Sequence, residues 1–108
     1  GRTMAGTLGI LLTTSPERAD AHTVIQLTRA ARAQGREVRI FVMCDGVYNL
    51  NTDEFRKLAV EGAQIWACSQ NASERGVEEV EGAPNMTWGS QYDFALMTGE
   101  CDRVIAFN

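Results

Sequence analysis

The chain has 108 residues, of which 44% are apolar and 22% are charged, and its formal net charge is −4. This length fits one domain, and the composition is ordinary for a globular fold. The negative charge argues against a nucleic-acid-binding protein and against a protein that binds an anionic membrane surface. No apolar run approaches the length of a membrane span, and no signal peptide opens the sequence. Residues 1–4 look like a cloning remnant ahead of a start methionine, so we expect the domain to cover residues 5–108.

Three cysteines, Cys44, Cys68 and Cys101, restrict the classes of site that the chain can form. Their number is odd and none lies in a CxxC pair, which indicates neither a disulfide framework nor a zinc site. With a single histidine in the chain, we expect no metal and no other cofactor. Free thiols are typical of a reducing compartment, so we expect a cytoplasmic protein.

The first half of the chain alternates strand and helix patterns. Residues 7–14 form an apolar run, which is typical of a central parallel strand because both of its faces are buried. Residues 19–34 have apolar positions at helical spacing, which predicts a helix. Gly35 is expected to end it, because glycine often follows the last helical residue. Residues 38–43 predict a second strand. A loop follows over residues 44–51, with Asp45-Gly46 as its turn signal.

The second half continues the alternation. Thr52 or Asp53 is expected to cap a helix that Gly62 ends. A third strand ends near Cys68, and a short helix runs from there to Arg75. Residues 77–87 are interpreted as a surface loop. A last helix opens at Gly89 or Ser90, and residues 102–107 form the final strand.

This alternation predicts an α/β fold with a parallel sheet that helices cover on both faces. In such sheets, binding and catalytic sites form beyond the carboxyl ends of the strands. Three loops meet this condition: residues 14–18, 44–51 and 68–73. The second and the third begin with a cysteine. The sequence therefore predicts a site that uses a cysteine thiol.

Cys68 is the candidate for that chemistry because it lies where a strand gives way to a helix. The backbone N–H groups of Gln70 and Asn71 would favour negative charge on sulfur, and Ser69 can donate a hydrogen bond. Arg75 lies two helical turns away, so we expect it to fix the loop or steer a partner. The alternative is an inert, buried cysteine, and spacing alone does not separate the two interpretations.

The other candidates have structural alternatives of equal or greater weight. Asp45 can line the site or cap a turn. Tyr48 can cover the thiol or lie in a subunit interface. Cys44 can act as a second thiol, but a packed core cysteine is the preferred interpretation. Cys101 is expected at the opposite end of the sheet with a structural role.

Three motifs, in order, resemble the DsrE family of sulfur-relay proteins, and in particular its TusD-type members in the tRNA 2-thiouridine relay. They are residues 45–51 (Asp-Gly-Val-Tyr-Asn-Leu-Asn), Cys68 with Arg75-Gly76-Val77, and residues 101–107. The likeness covers residues 7–108. The polar segment 69–74, with Glu74 at a position that is basic in TusD, departs from that branch, so the carrier role transfers more directly than the tRNA pathway.

The resemblance implies a three-layer α/β/α sandwich with a mainly parallel, four- to five-stranded sheet. It implies a sulfurtransferase-type carrier that accepts sulfane sulfur as a persulfide on Cys68. It further implies a homo-oligomer (dimer, trimer or hexamer) or a complex with paralogues, with a protein sulfur donor and a protein acceptor. Direct contact with nucleic acid or membrane is not expected.

Two other functions remain open at this point. The first is a non-catalytic scaffold subunit of a relay complex, in which Cys68 is inert. The second is a flavodoxin-like binder of a small molecule, with the hydroxyls of Thr13, Thr14 and Ser15 holding a phosphate. Against the second, the loop has no glycine and the chain has no phosphate-binding glycine motif.

Overall fold

The computed structural model describes residues 6–80 and 83–108. Residues 1–4, expected to be a cloning remnant, lie outside the described residues. The elements in chain order are β1 (Thr7–Leu12), α1 (Ala19–Ala33), β2 (Glu37–Val42), a 3₁₀ helix (Cys44–Asn51), α2 (Asp53–Val60), β3 (Gln64–Cys68), α3 (Ser69–Glu74), β4 (Met86–Gly89), α4 (Gln91–Gly99) and β5 (Arg103–Phe107). Within the described ranges, no helix is long and apolar enough to cross a membrane.

The five strands form one sheet in the order β4-β3-β2-β1-β5, and all neighbouring pairs are parallel. The apolar run of β1 lies at the second-to-last position, with β2 on one side and β5 on the other. In register, Ile10 pairs with Ile40 and with Ile105. The predicted α/β fold with a parallel sheet of four to five strands is therefore confirmed, with five strands.

Side chains alternate between two cores, one on each face of the sheet. The larger core holds Ile10, Ile40 and Ile65 together with the buried sides of α1 and α2. The smaller core consists of the buried residues Phe41, Cys68 and Met97. Phe94 of α4 stacks at a tilt on Phe41, with ring centroids 5.2 Å apart. Helices thus cover both faces, and Cys68 belongs to the less extensive core.

The interpretation of residues 77–87 as a loop is wrong at its end, because β4 begins at Met86. Met86 pairs with Ile65 and Thr87 with Trp66 at the edge of the sheet. Pro84 and Asn85 favour a turn, and the strand that follows them has only four residues, so the sequence pattern does not indicate it. Asn85 itself has a left-handed backbone (φ 59°), and its side chain donates to the carbonyl of Ala59 at 2.9 Å.

The segment predicted as a loop over residues 44–51 is a 3₁₀ helix that packs against the end of β1. A methyl group on Gly46 would overlap the carbonyl oxygen of Leu12, so only glycine fits there. Asn49 is buried, and its side-chain amide donates to the carbonyls of Thr14 (3.0 Å) and Gly46 (2.9 Å). Of the two predicted caps of α2, Thr52 is the one that the structure has, and its hydroxyl oxygen accepts from the N–H of Phe55 at 3.4 Å.

Replacing Gly46 with alanine should destabilise the fold by about 1–3 kcal/mol, the usual cost of overpacking, because the new methyl group meets backbone that cannot rotate away. Gly99→Ala is the matched control, since no atom lies within 4 Å of its added methyl group. It should be neutral or stabilising by up to about 0.5–1 kcal/mol. Urea unfolding measures both, and equal stability of the two variants would contradict the close approach at Gly46.

Candidate functional site

Cys68 joins the end of β3 to the start of α3. The apolar residues Ile65 and Ala67 hold the strand in the larger core, and Ala72 holds the helix there. Cys68 is the N-cap of α3, and its Sγ accepts a hydrogen bond from the backbone N–H of Asn71 at 3.5 Å. A sulfur in this position replaces the usual oxygen of a capping side chain. The N–H group is thus directed at the atom that would carry charge in a thiolate.

Cys68 is one of the residues that line an open cavity of about 680 Å³. Cys68 itself is only 4% exposed, since it also packs in the smaller core. The cavity lies between the amino-terminal ends of α3 and α4, and its lining residues are Cys68, Ser69, Gln70, Gly89, Ser90, Gln91, Tyr92 and Asp93. The cavity thus borders the residue whose Sγ accepts the Asn71 N–H.

Sequence reasoning identified the α3 side of this cavity and missed the α4 side. The missed side follows from β4, which pairs Gly89 with Cys68 and so sets the start of α4 beside the thiol. A signal was present in the spacing Ser90-x-x-Asp93, which is typical of a capping box. The Asp93 carboxylate accepts from the backbone N–H of Ser90 at 2.7 Å.

Asn71 also connects the thiol to the 3₁₀ helix. Its side-chain oxygen accepts a hydrogen bond of 2.7 Å from the backbone N–H of Cys44. Cys44 is exposed, and its backbone is left-handed (φ 52°). The preferred interpretation of Cys44 as a packed core cysteine is therefore wrong. The chain leaves β2 and turns outward at this residue, which exposes the side chain to solvent.

Arg75 links the end of α3 to the same 3₁₀ helix. Its Nε donates to the carboxylate of Asp45 at 2.9 Å, and its Nη1 donates to the carbonyl of Asn71 at 3.4 Å. The hydrogen bond to Asp45 raises the pKa of the Arg75 guanidinium, with Tyr48 and Cys44 contributing smaller effects and desolvation opposing them. The Arg75 guanidinium therefore holds the 3₁₀ helix and α3 together.

Tyr48 packs against the larger core and is not among the residues that line the cavity at Cys68. Of its two predicted roles, cover over the thiol has no support from this position, and a place in a subunit interface stays a prediction. Cys101 precedes β5 at the opposite end of the sheet, where its Sγ lies against Gly9. Partial burial raises the pKa of the Cys101 thiol, although Arg39 works in the other direction.

Two of the three hydroxyls proposed to hold a phosphate in the loop after β1 are engaged within the chain. The hydroxyl of Thr14 donates to the Asp20 carboxylate at 2.9 Å, and that of Thr13 contacts the carbonyl of Phe107 at 3.3 Å. The carboxylate of Asp20 also places negative charge at the start of α1, which disfavours an anion. Among the residues that the structure describes, no three His, Cys, Asp or Glu side chains are grouped as metal ligands.

Comparison with known proteins gives consistent results over nearly the whole chain. Residues 7–107 match the model of the DsrE/DsrF-like family. An uncharacterised protein of Methanopyrus kandleri, MK0008, is 28% identical over 98 residues, which cover 81% of each chain. The ychN protein of E. coli has a similar structure, with a TM-score of 0.78 and 16% identity over 96% of this chain and 100% of its own. BT1422 of Bacteroides thetaiotaomicron has a TM-score of 0.70 and 18% identity over 94% of each chain.

The exposures and environments of the thiols predict an order of alkylation. A bulky maleimide should modify the exposed Cys44 first and the partly buried Cys101 much more slowly. Because burial raises the pKa of Cys101, its reaction should accelerate at a higher pH than is usual for cysteine. Peptide mass spectrometry after timed labelling gives the order, and labelling in denaturant is the control in which the difference disappears. Equal rates for Cys44 and Cys101 in the folded protein would contradict the structure.

Proposed function

Because the chain belongs to the DsrE/DsrF-like family, we propose that it is a sulfur carrier of the sulfurtransferase type. In this proposal Cys68 accepts sulfane sulfur as a persulfide and passes it to a partner protein in a sulfur relay. The observation that supports it most directly is the hydrogen bond from the Asn71 N–H to the Cys68 Sγ, in a residue that lines a cavity. The sulfur atom has a donor for its charge, and an open space borders its residue.

The proposed reaction is an exchange between sulfur atoms with no net oxidation. The Cys68 thiolate attacks the outer sulfur of a donor persulfide, a new S–S bond forms, and the donor sulfur leaves as a thiolate. In the second half, an acceptor thiolate attacks the outer sulfur on Cys68, and Cys68 leaves as a thiolate. The Cys68 sulfur carries negative charge before the first half and regains it in the second, and it is the atom that the Asn71 N–H contacts.

The cavity supplies space for the outer sulfur atom of the persulfide. Ser69 and Gln70 lie on its α3 side. The side-chain Nε2 of Gln70 donates to the Oε2 of Glu74 at 3.2 Å, so this amide is not a donor to the Cys68 sulfur in this conformation. We assign the stabilising role to the backbone of α3 and a lining role to these two side chains. Arg75 and Asp45 are assigned the role of holding α3 in place through their ion pair.

Partners are part of the proposal, since members of this family often work in complexes. The outer side of α4 exposes two large apolar side chains four residues apart: Tyr92 is 70% exposed and Leu96 53%. Such a patch is typical of an interaction surface. It supports assembly into a homo-oligomer or with a paralogue, next to the cavity that Tyr92 lines. The pathway, including the tRNA thiolation implied by the TusD resemblance, and a cytoplasmic location remain predictions.

One observation favours the scaffold alternative, in which Cys68 has no chemistry. The residue is only 4% exposed, and a buried cysteine commonly has a packing role. The two functions differ in one measurable property, which is the ability of Cys68 to accept sulfur.

Treating the protein with a persulfide donor should add one sulfur atom to Cys68, and Cys68→Ser should reduce its loading to background. Intact mass spectrometry followed by peptide mapping measures the added sulfur. Cys101→Ser is the matched control and should load at the parent rate, because Cys101 lies at the opposite end of the sheet. If the Cys68 peptide of the folded parent stays unmodified, the carrier function is wrong and the scaffold function is favoured.

Filling the cavity should slow loading without removing the thiol. Gln91 is exposed and lines the cavity, so Gln91→Trp should obstruct the approach to Cys68 and lower the loading rate severalfold. Gln26→Trp places the same side chain on an exposed position of α1 and should leave the rate unchanged. The rate of persulfide formation under excess donor is the measurement. Equal rates for the two variants would show that sulfur reaches Cys68 by another route.

A further inference from the structure

We propose that Asp93 makes the site selective for the charge of the sulfur donor. Cys68 then takes sulfur preferentially from a persulfide that has a positively charged group beside it, and donors with a negatively charged group in that place are disfavoured. This inference rests on the proposed carrier function and adds to it the class of donor that the cavity accepts.

The Asp93 carboxylate lies beside Cys68 on the same face of the sheet. Gly89 of β4 pairs with Cys68 of β3, and paired residues of parallel strands direct their side chains to the same face. A methyl group on Gly89 would overlap the Asp93 carboxylate, which therefore occupies the place of a side chain at Gly89. Because neighbouring strands are about 4.8 Å apart, this negative charge lies only one strand away from Cys68.

The lining of the cavity at Cys68 contains no side chain of opposite charge to Asp93. Apart from Cys68 and Asp93, the described residues that line it are serine, glutamine, glycine and tyrosine, which are uncharged. Glu74 adds a second negative charge behind this lining, where its carboxylate accepts from the side chain of Gln70 at 3.2 Å. A donor that occupies the cavity is therefore next to negative charge.

The amino-terminal end of α4 offsets only part of this charge. The backbone N–H of Ser90 donates to the Asp93 carboxylate at 2.7 Å, within the capping box of the helix. A helix end has a partial positive charge of about half a unit, which is smaller than the full negative charge of a carboxylate. The potential at this side of the cavity therefore stays negative.

The arginines of the neighbouring segments are also neutralised by carboxylates. Arg75 forms an ion pair with Asp45 at 2.9 Å. Arg39 lines a smaller pocket to which Asp93 also contributes, and it is paired there with Glu37 and Glu100. Two acids for one base leave this neighbouring pocket without an excess of positive charge.

The charge of the lining matters because the leaving group of the exchange is an anion. The outer sulfur of the donor persulfide, with its proton, forms a new S–S bond to the Cys68 thiolate. The electron pair of the broken S–S bond stays on the inner sulfur of the donor, which leaves as a thiolate. A positive group beside that sulfur stabilises the thiolate and is attracted by Asp93, whereas a negative group is repelled.

The test uses two small persulfides of similar size and opposite charge, those of cysteamine and of 3-mercaptopropionate. Peptide mapping of the full chain gives the initial rate of sulfur addition to Cys68 from each donor, and the ratio of the two rates is the readout. Relative to a neutral cysteine peptide, the parent should favour the cysteamine persulfide. Asp93→Asn, which keeps an oxygen for the Ser90 N–H, should lower the ratio by about threefold to tenfold.

Asp53→Asn is the matched control. It removes the same charge from an exposed position at the start of α2, which packs on the other face of the sheet, and should keep the parent ratio. The ratio cancels any change in the reactivity of the thiol itself, because both donors meet the same thiol. In the parent, raising the ionic strength from about 0.01 M to about 1 M should bring the ratio toward that of the peptide, since screening shortens the range of the charge.

The outcomes separate donor selectivity from the carrier function. Equal ratios in the parent and Asp93→Asn would overturn the selectivity and leave the carrier function intact, since Cys68 would still load. An equal fall of the ratio in Asp53→Asn would also overturn it, because the net charge of the chain would then be responsible. If Cys68 of the parent loads from neither donor, the carrier function is wrong and the selectivity with it.

Discussion

The arrangement of the site depends on the hydrogen bonds of Asn71. Its backbone N–H reaches the Cys68 sulfur, its side-chain oxygen receives the N–H of Cys44, and its carbonyl accepts from Arg75. One residue therefore joins the end of β3, the turn after β2 and the end of α3. The Cys44 N–H would otherwise face the cost of an unmade hydrogen bond in a residue whose left-handed backbone is already unfavourable by about 1–2 kcal/mol.

These contacts matter because α3 has only six residues, Ser69–Glu74. A helix of this length is not stable by itself in water. It is held by the burial of Ala72 in the larger core and by the Arg75–Asp45 ion pair at its end. The direction of the N–H at Cys68 is thus a property of the tertiary structure. The segments that provide it are the same ones that the DsrE-like motifs mark in the sequence.

The order of strands and helices could be predicted from the sequence because each apolar run has a clear period and a clear stop. A strand within residues 7–14, a helix from residue 19 and a cap at Thr52 or Asp53 follow from local patterns, and the structure has a strand over Thr7–Leu12, a helix from Ala19 and the cap at Thr52. The edge strand β4 could not be found this way, since its four residues gain their structure by pairing with β3. The α4 side of the cavity depends on that pairing and was missed with it.

The exposure of Cys44 illustrates a second limit. Its position after an apolar strand favoured burial, yet the chain turns outward there because Gly46 must approach the carbonyl of Leu12. This close contact involves Gly46, two residues after the cysteine, and Leu12 at the end of β1. The local sequence around Cys44 does not reveal it. By contrast, the position of Cys68 at a strand end was predictable, since its strand and helix patterns meet at that residue.

The thinness of the layer over Cys68 has a consequence for dynamics. Met97 is the one buried residue of α4, and the outer side of the helix exposes Tyr92 and Leu96. A helix with so little buried apolar area opens locally at a lower free energy than the α1 and α2 layer, which should be evident as faster amide hydrogen exchange. The access of solvent and reagents to Cys68 is then governed by fluctuations of one short helix, while the rest of the sheet keeps the sulfur in register with Asn71.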